Sequence, residues 1–173
     1  MLLVISICAV SLNIYQAFKL RKLQTDNLTG LPNRHAIDEY VSQRKIRTSC
    51  LGVLFIDLDK LKQINDTYGH EFGDKYIKMV AEKLVAVCRV YDIAVRCGGD
   101  EFLVFLHNTS YALAQIVADR IRHECASLEL PIPVSVSIGI AIRENPTVLI
   151  GDIIDMADKD MYKDKRSKKT DRR

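Results

Sequence analysis

Apolar and polar positions along this chain fall into two rhythms, a dense one typical of buried strands and a helical one repeating every three to four residues. Leu51-Gly52-Val53-Leu54-Phe55-Ile56 is continuously apolar and predicts a strand over 51–58 that is covered on both faces. Ile93-Ala94-Val95 and Phe102-Leu103-Val104-Phe105-Leu106 predict strands over 93–97 and 102–107. The short glycine-containing segment between them makes the pair a hairpin. A further apolar stretch predicts a strand over 134–142.

Between these runs the helical rhythm takes over. Asp74 to Val90 carries Ile77, Val80, Ala81, Leu84, Val87 and Cys88 on one face, and Ala112 to Leu128 carries Leu113, Ile116, Val117, Ile121 and Leu128. Shorter helices are expected over Arg34 to Lys45, after the Pro32 turn, and over 60–67, with a last helix over 150–165. Helices interleaved with strands around a central hairpin predict an α/β fold with a mixed, mostly antiparallel sheet flanked by helices. No repeat or low-complexity linker interrupts the pattern.

The N-terminus differs in kind. Leu2 to Phe18 carries no formal charge, and Lys19, Arg21 and Lys22 follow. The stretch sits at the lower limit of length for crossing a bilayer. An amphipathic or dimerising helix is the alternative. A basic n-region and a small-residue cleavage site, the marks of a signal peptide, are missing. The positive flank predicts that the C-terminal side lies in the cytoplasm. The expected division is therefore a membrane-spanning helix at 1–18, a helical linker at 19–25, one folded domain at 26–166 and a basic tail at 167–173. At 173 residues the chain suffices for a single substantial core. A net charge of +3 provides no global basic field for nucleic acid. Five scattered cysteines without a C-x-x-C pair argue against a zinc site or a disulfide framework.

Chemistry concentrates at two strand ends. Cys97-Gly98-Gly99-Asp100-Glu101 places two acids on the hairpin turn, where glycine permits positive φ and close approach of a phosphate. Alone, such a turn reads first as a solvated loop. The buried strand 51–58 also ends in acids, Asp57-Leu58-Asp59. Two carboxylate-bearing strand ends in one small domain suggest a Mg²⁺ site, since that ion takes one or two carboxylates together with substrate phosphates. Lys60 to Asp74 then supplies cations, an amide, an imidazole and an acid, the groups a nucleotide pocket needs.

These blocks together resemble the GGDEF family, the diguanylate cyclases. Asp26-Asn27-Leu28-Thr29-Gly30-Leu31-Pro32-Asn33-Arg34 is similar to its opening signature. Phe55 to Asp59 with Asn65-Asp66, Gly69-His70 and Gly73-Asp74 are similar to its second block, and Gly98 to Phe102 spell its name. Val134 to Ala141 and Ala157-Asp158 through Met161-Tyr162 resemble its late strand and last helix. The resemblance implies a palm-like nucleotidyl cyclase fold that condenses two GTP into cyclic di-GMP and releases pyrophosphate. It implies metal ligation by Asp57, Asp100 and the Leu58 carbonyl, with Mg²⁺ or Mn²⁺. Asp100 and Glu101 would be catalytic, Glu101 either on the metal side or paired with Lys62. Asn65 and Asp74 would read guanine, and His70, Lys62, Lys165 and Lys169 would contact substrate. Arg89-Val90-Tyr91-Asp92 resembles the R-x-x-D site at which cyclic di-GMP inhibits its own synthesis.

The resemblance further implies a homodimer, each copy holding one GTP. With the N-terminal segment, the expectation is a single-pass protein of the inner (cytoplasmic) membrane with its catalytic domain in the cytoplasm. The alternative is a catalytically weak module that senses GTP or cyclic di-GMP. The chain departs from the family's pattern at Leu61, where Phe is common, at His35, where a second Arg is usual, and at Lys168-Lys169-Thr170, where Gly-Arg-Asn is usual.

Overall fold

The apolar runs become four strands and the amphipathic stretches five helices among the described residues of this computed structural model, which are 24–42 and 50–170, without the side chains at 41, 42, 169 and 170. In chain order these are α1 (Arg34–Ser42), β1 (Leu51–Leu58), α2 (Leu61–Tyr68), α3 (His70–Val87), β2 (Ile93–Arg96), β3 (Glu101–His107), α4 (Tyr111–Ala126), β4 (Val136–Arg143) and α5 (Ile150–Thr170). The sheet order is β2-β3-β1-β4, and every ladder is antiparallel. An isolated bridge between Asn33 and Arg96 is parallel. The fold is the expected α/β architecture.

Strand β1 is buried along its whole length because it is central and covered on both faces. Its even positions, Leu54, Ile56 and Leu58, join Phe102, Val104 and Leu106 of β3 in a core closed by α2, α3 and α4. Its odd positions, Leu51, Val53 and Phe55, join Leu103 and Phe105 in a second core closed by α1 and α5. The two-residue period of a strand therefore aims Asp57 and Asp59 toward the α1 and α5 side.

Three expectations need correction. Helix α3 begins at His70 rather than Asp74, because one residue suffices to break it from α2. Gly69 takes a positive φ of 84° and its N–H closes the preceding helix on the Asn65 carbonyl. In α4 the buried residues are Ala114, Ala118, Ile121 and Cys125, whereas Leu113 and Ile116 are exposed. Small side chains let this helix lie close to the sheet, so the alanines, not the larger residues, mark the inward face. Helix α5 continues to Thr170.

No helix among the described residues is long and apolar enough to cross a membrane. The expected span at 1–18 and most of the 19–25 linker lie outside the described residues.

Candidate active site

Strand register brings the two acidic motifs together. Asp57 at the end of β1 lies opposite Glu101 at the start of β3 on one side and Ser137 of β4 on the other. The Leu58 N–H donates to the Asp100 carbonyl at 3.0 Å, which stitches the hairpin turn to the end of β1. The turn itself closes through the Cys97 N–H on the Glu101 carbonyl at 2.9 Å. Its glycines do not use positive φ, contrary to expectation, since Gly30 and Gly69 are the glycines with that conformation. Gly98 instead makes room: a Cβ there would lie 2.7 Å from Glu101 Oε2, and Gly99 faces open space. Cys97 packs against the α1–α5 core, and burial pushes its thiol up to about 12, which removes thiolate reactivity.

The electrostatics are those of clustered carboxylates. Burial raises the Asp57 carboxyl above its usual range, the Lys165 ammonium opposes this, and Asp100 and Asp59 add to the rise. Lys165 Nζ donates to Asp57 Oδ1 at 2.6 Å. Burial alone would lower the Lys165 ammonium, but its hydrogen bond to Asp57 and the charges of Asp57, Asp100 and Asp59 hold it above its ordinary value. Glu101 is raised by burial and by Asp100, Asp57 and Asp158, with Arg34 opposing. Lys62 is exposed and forms no ion pair among the described residues.

The second half of the site sits where α2 meets α3. Gly73 is buried, and a Cβ there would fall on Asn65 Oδ1. That oxygen is buried with no hydrogen-bond partner among the described residues. An orphaned buried acceptor costs about 1–3 kcal/mol, so its presence here suits a ligand that donates to it. Asp74 follows Gly73 and is exposed, as are His70 and Lys62.

Two flanking arrangements frame the turn. Asp26 accepts from Thr29 N at 2.9 Å and Thr29 Oγ1 at 2.7 Å, closing the Asp26–Leu31 turn. Arg96 donates to Asp26 Oδ1 at 2.9 Å and to the Gly99 carbonyl at 2.8 Å, joining that turn to the acidic one. At the R-x-x-D sequence, Asp92 accepts from the Arg89 N–H and the His107 N–H, one on each oxygen, and so braces its own loop against β3. Arg89 is exposed beside a cavity of about 550 Å³ lined by Leu31, Pro32, Tyr40, Val90 and Ile93.

The sequence suggests no site role for Ser137 or Asp164, and shows Asp59 only as part of the acidic strand end and Lys168 only as a departure from the family pattern. Asp59 Oδ1 accepts from Ser137 Oγ at 2.7 Å, and Lys168 Nζ lies 3.5 Å from its other oxygen. Lys168 also donates to the Val136 carbonyl at 2.6 Å. The available signal was the second acid of Asp-x-Asp and the four-residue spacing of charges on α5. Lys169 lies in the last turn of α5, and its side chain falls outside the described residues.

The donor set fits a small divalent cation. Among the described residues no group of three or more His, Cys, Asp or Glu side chains is arranged to hold a metal alone. Mg²⁺ does not require one, because it keeps waters and takes substrate phosphate oxygens beside one or two carboxylates. The raised Asp57 and Glu101 carboxyls mark excess negative charge that a cation would relieve.

Comparison with known proteins agrees with this geometry. Residues 23–171 match the family model described as diguanylate cyclase, GGDEF domain. The chain is 32% identical over 174 residues to diguanylate cyclase A of Treponema denticola, covering 94% of this chain and 46% of that protein. It is 38% identical over 99 residues to the cyclic di-GMP phosphodiesterase PdeR of Escherichia coli, covering 56% of this chain and 15% of that protein. The chain thus spans less than half the length of these curated relatives. Among solved structures, it is similar to the coiled coil and GGDEF domain of DgcB from Caulobacter crescentus in complex with c-di-GMP. The TM-score is 0.85 at 28% identity, covering 95% of this chain and 93% of that one.

Proposed function

The chain belongs to the GGDEF family of diguanylate cyclases, and from that premise we propose that it condenses two GTP into cyclic di-GMP with release of two pyrophosphates. The observation that carries this reading is the register pairing of Asp57 with Glu101, which sets both acidic motifs beside Lys165 at one end of the sheet. In the reaction each 3′-hydroxyl attacks the α-phosphate of the other nucleotide. One copy of the site holds one nucleotide, so two copies must meet, and a homodimer is the working form.

The protein's contribution is positioning and charge. Asn65 Oδ1 accepts from a guanine donor, and Asp74 takes the N1–H and 2-amino pair that adenine lacks. Lys165, already charged, moves from Asp57 to phosphate oxygens as the nucleotide enters, and Lys169 and Lys62 add charge along the triphosphate. Asp57, Asp100 and the Leu58 carbonyl would hold Mg²⁺, which when bound supplies neutralisation of the phosphate charge and eases loss of the hydroxyl proton. Asp100 would receive that proton, and Glu101, whose carboxylate lies against Gly98, would add negative charge beside the cation.

Arg89 at its cavity is the proposed grip for the product, with Asp92 holding the loop that presents it. We further propose anchorage in the cytoplasmic membrane through residues 1–18; sedimentation of the full chain with membranes tests it, and recovery entirely in the supernatant contradicts it. The test of function is incubation of the purified full chain with Mg²⁺ and GTP, or ATP in parallel, and chromatography of the products. Cyclic di-GMP and pyrophosphate from GTP alone are expected. Absence of any cyclic dinucleotide favours the second reading, a module that binds guanine nucleotides without turnover. That reading draws its support from the match to a protein named as a phosphodiesterase.

A further inference from the structure

We propose that Asp160, Asp164 and Lys168 form a side-chain ladder along the free edge of β4 that fixes the register of α5 and thereby positions Lys165 for the nucleotide phosphates. The positioning role rests on the cyclase reading; the ladder itself does not.

Among the described residues strand β4 pairs with β1 on one edge alone, so its outward N–H and C=O groups lack a strand partner there. Helix α5 provides one. The Ile140 N–H donates to Asp160 Oδ2 at 3.0 Å, the Ile138 N–H donates to Asp164 Oδ2 at 2.9 Å, and Lys168 Nζ donates to the Val136 carbonyl at 2.6 Å. Each step of four helix residues meets a step of two strand residues, in opposite directions. The periods agree: four helical residues advance about 6 Å, and two strand residues about 6.6 Å. Gly139 permits the approach, since a Cβ there would collide with the backbone of Ala157 and Met161.

Asp164 is the central rung. It also accepts from Arg122 of α4 at 3.2 Å and pairs with Lys168 at 3.2 Å, while Arg122 donates to the Ile138 carbonyl. Both backbone groups of Ile138 are thereby satisfied by side chains. An isolated i,i+4 pair on a solvated helix would show none of these strand contacts. Lys165 follows Asp164 directly, and its ammonium rests on Asp57. A slip of α5 along β4 would carry Lys165 off the carboxylate it must be near.

Amide hydrogen exchange and nucleotide binding on the full chain test this, with 3′-deoxy-GTP and Mg²⁺ as the probe because it lacks the attacking hydroxyl. Asp164→Ala is expected to speed exchange at Ile138 at least about tenfold and to weaken 3′-deoxy-GTP about fivefold. Asp164→Asn, which still offers Ile138 an acceptor but no charge, should keep the exchange protection and lose part of the affinity. Because Asp164 acts through Lys165, adding Asp164→Ala to Lys165→Met should weaken binding by less than about twofold more. Unchanged exchange at Ile138 in Asp164→Ala overturns the ladder. Full additivity, or wild-type affinity in Asp164→Ala, overturns the positioning role alone. A wild-type chain that binds no 3′-deoxy-GTP overturns the cyclase reading and the positioning role together, leaving the exchange result to decide the ladder.

Discussion

At Gly73 a single methyl group would fall on the Asn65 amide, so this position converts the sharpest steric fact of the site into a kinetic one. Gly73→Ala is expected to raise the KM for GTP about tenfold, because the guanine acceptor is displaced while the fold survives. Steady-state kinetics beside a thermal melt checks this, and an unchanged KM contradicts it. Asp26 gives a second residue-level expectation, in pH. Burial would raise its carboxyl, but hydrogen bonds from Thr29 and Arg96 and the Arg96 charge hold it below its ordinary 3.8. A depressed folded-state value stabilises the protein above the unfolded value, and that stability disappears as pH falls through the folded one. Asp26→Asn should therefore be less stable than wild type at neutral pH, with the gap closing as pH falls below the ordinary 3.8. Urea denaturation across that range reads it, and a gap that persists in acid would refute it. Asp57, Asp100 and Asn65 stand out as candidates in the sequence because carboxylates and amides at strand and helix ends carry their chemistry in their identity. Asp164 and Lys168 do not, since charges spaced by four on a helix look like a solvated face until the strand edge they reach is known.

Among the elements, α5 lies close against β4, and Gly139 makes it possible. Gly139→Ala places a Cβ on the backbone of Ala157 and Met161, which cannot rotate away. A loss of about 1–3 kcal/mol or more is expected, visible as a lowered denaturation midpoint. Gly98→Ala meets the flexible end of Glu101 instead and should retain wild-type stability. Equal stability of the two variants would contradict this account. The same contrast explains what could be read in advance. Strand β1 announces itself because burial on both faces demands a continuous apolar run. Helix α4 hides its inward face because Ala114 and Ala118 are chosen for closeness, not for hydrophobic bulk. The start of α3 depends on how one glycine turns, which periodicity does not encode.

For the whole molecule, the two cores fix where the acids point, and the proposed reaction then needs a second copy to bring the other nucleotide. Regulation belongs at this scale too. Arg89 stands beside its own cavity, away from the acidic strand ends, so Arg89→Ala should leave initial turnover intact while abolishing inhibition by added cyclic di-GMP; retained inhibition would contradict that assignment. The fold class and the ordered motifs were legible because they are local in sequence. Pairings between distant segments, such as Arg96 with Asp26 or Lys168 facing Asp59, become visible in three dimensions. The most direct measurement of the central claim is cyclic di-GMP formation from GTP and Mg²⁺ by the full chain, wild type beside Asp100→Ala at equal concentration. The account predicts product from wild type and a loss of about a hundredfold or more in the variant. Undiminished output from Asp100→Ala would contradict it.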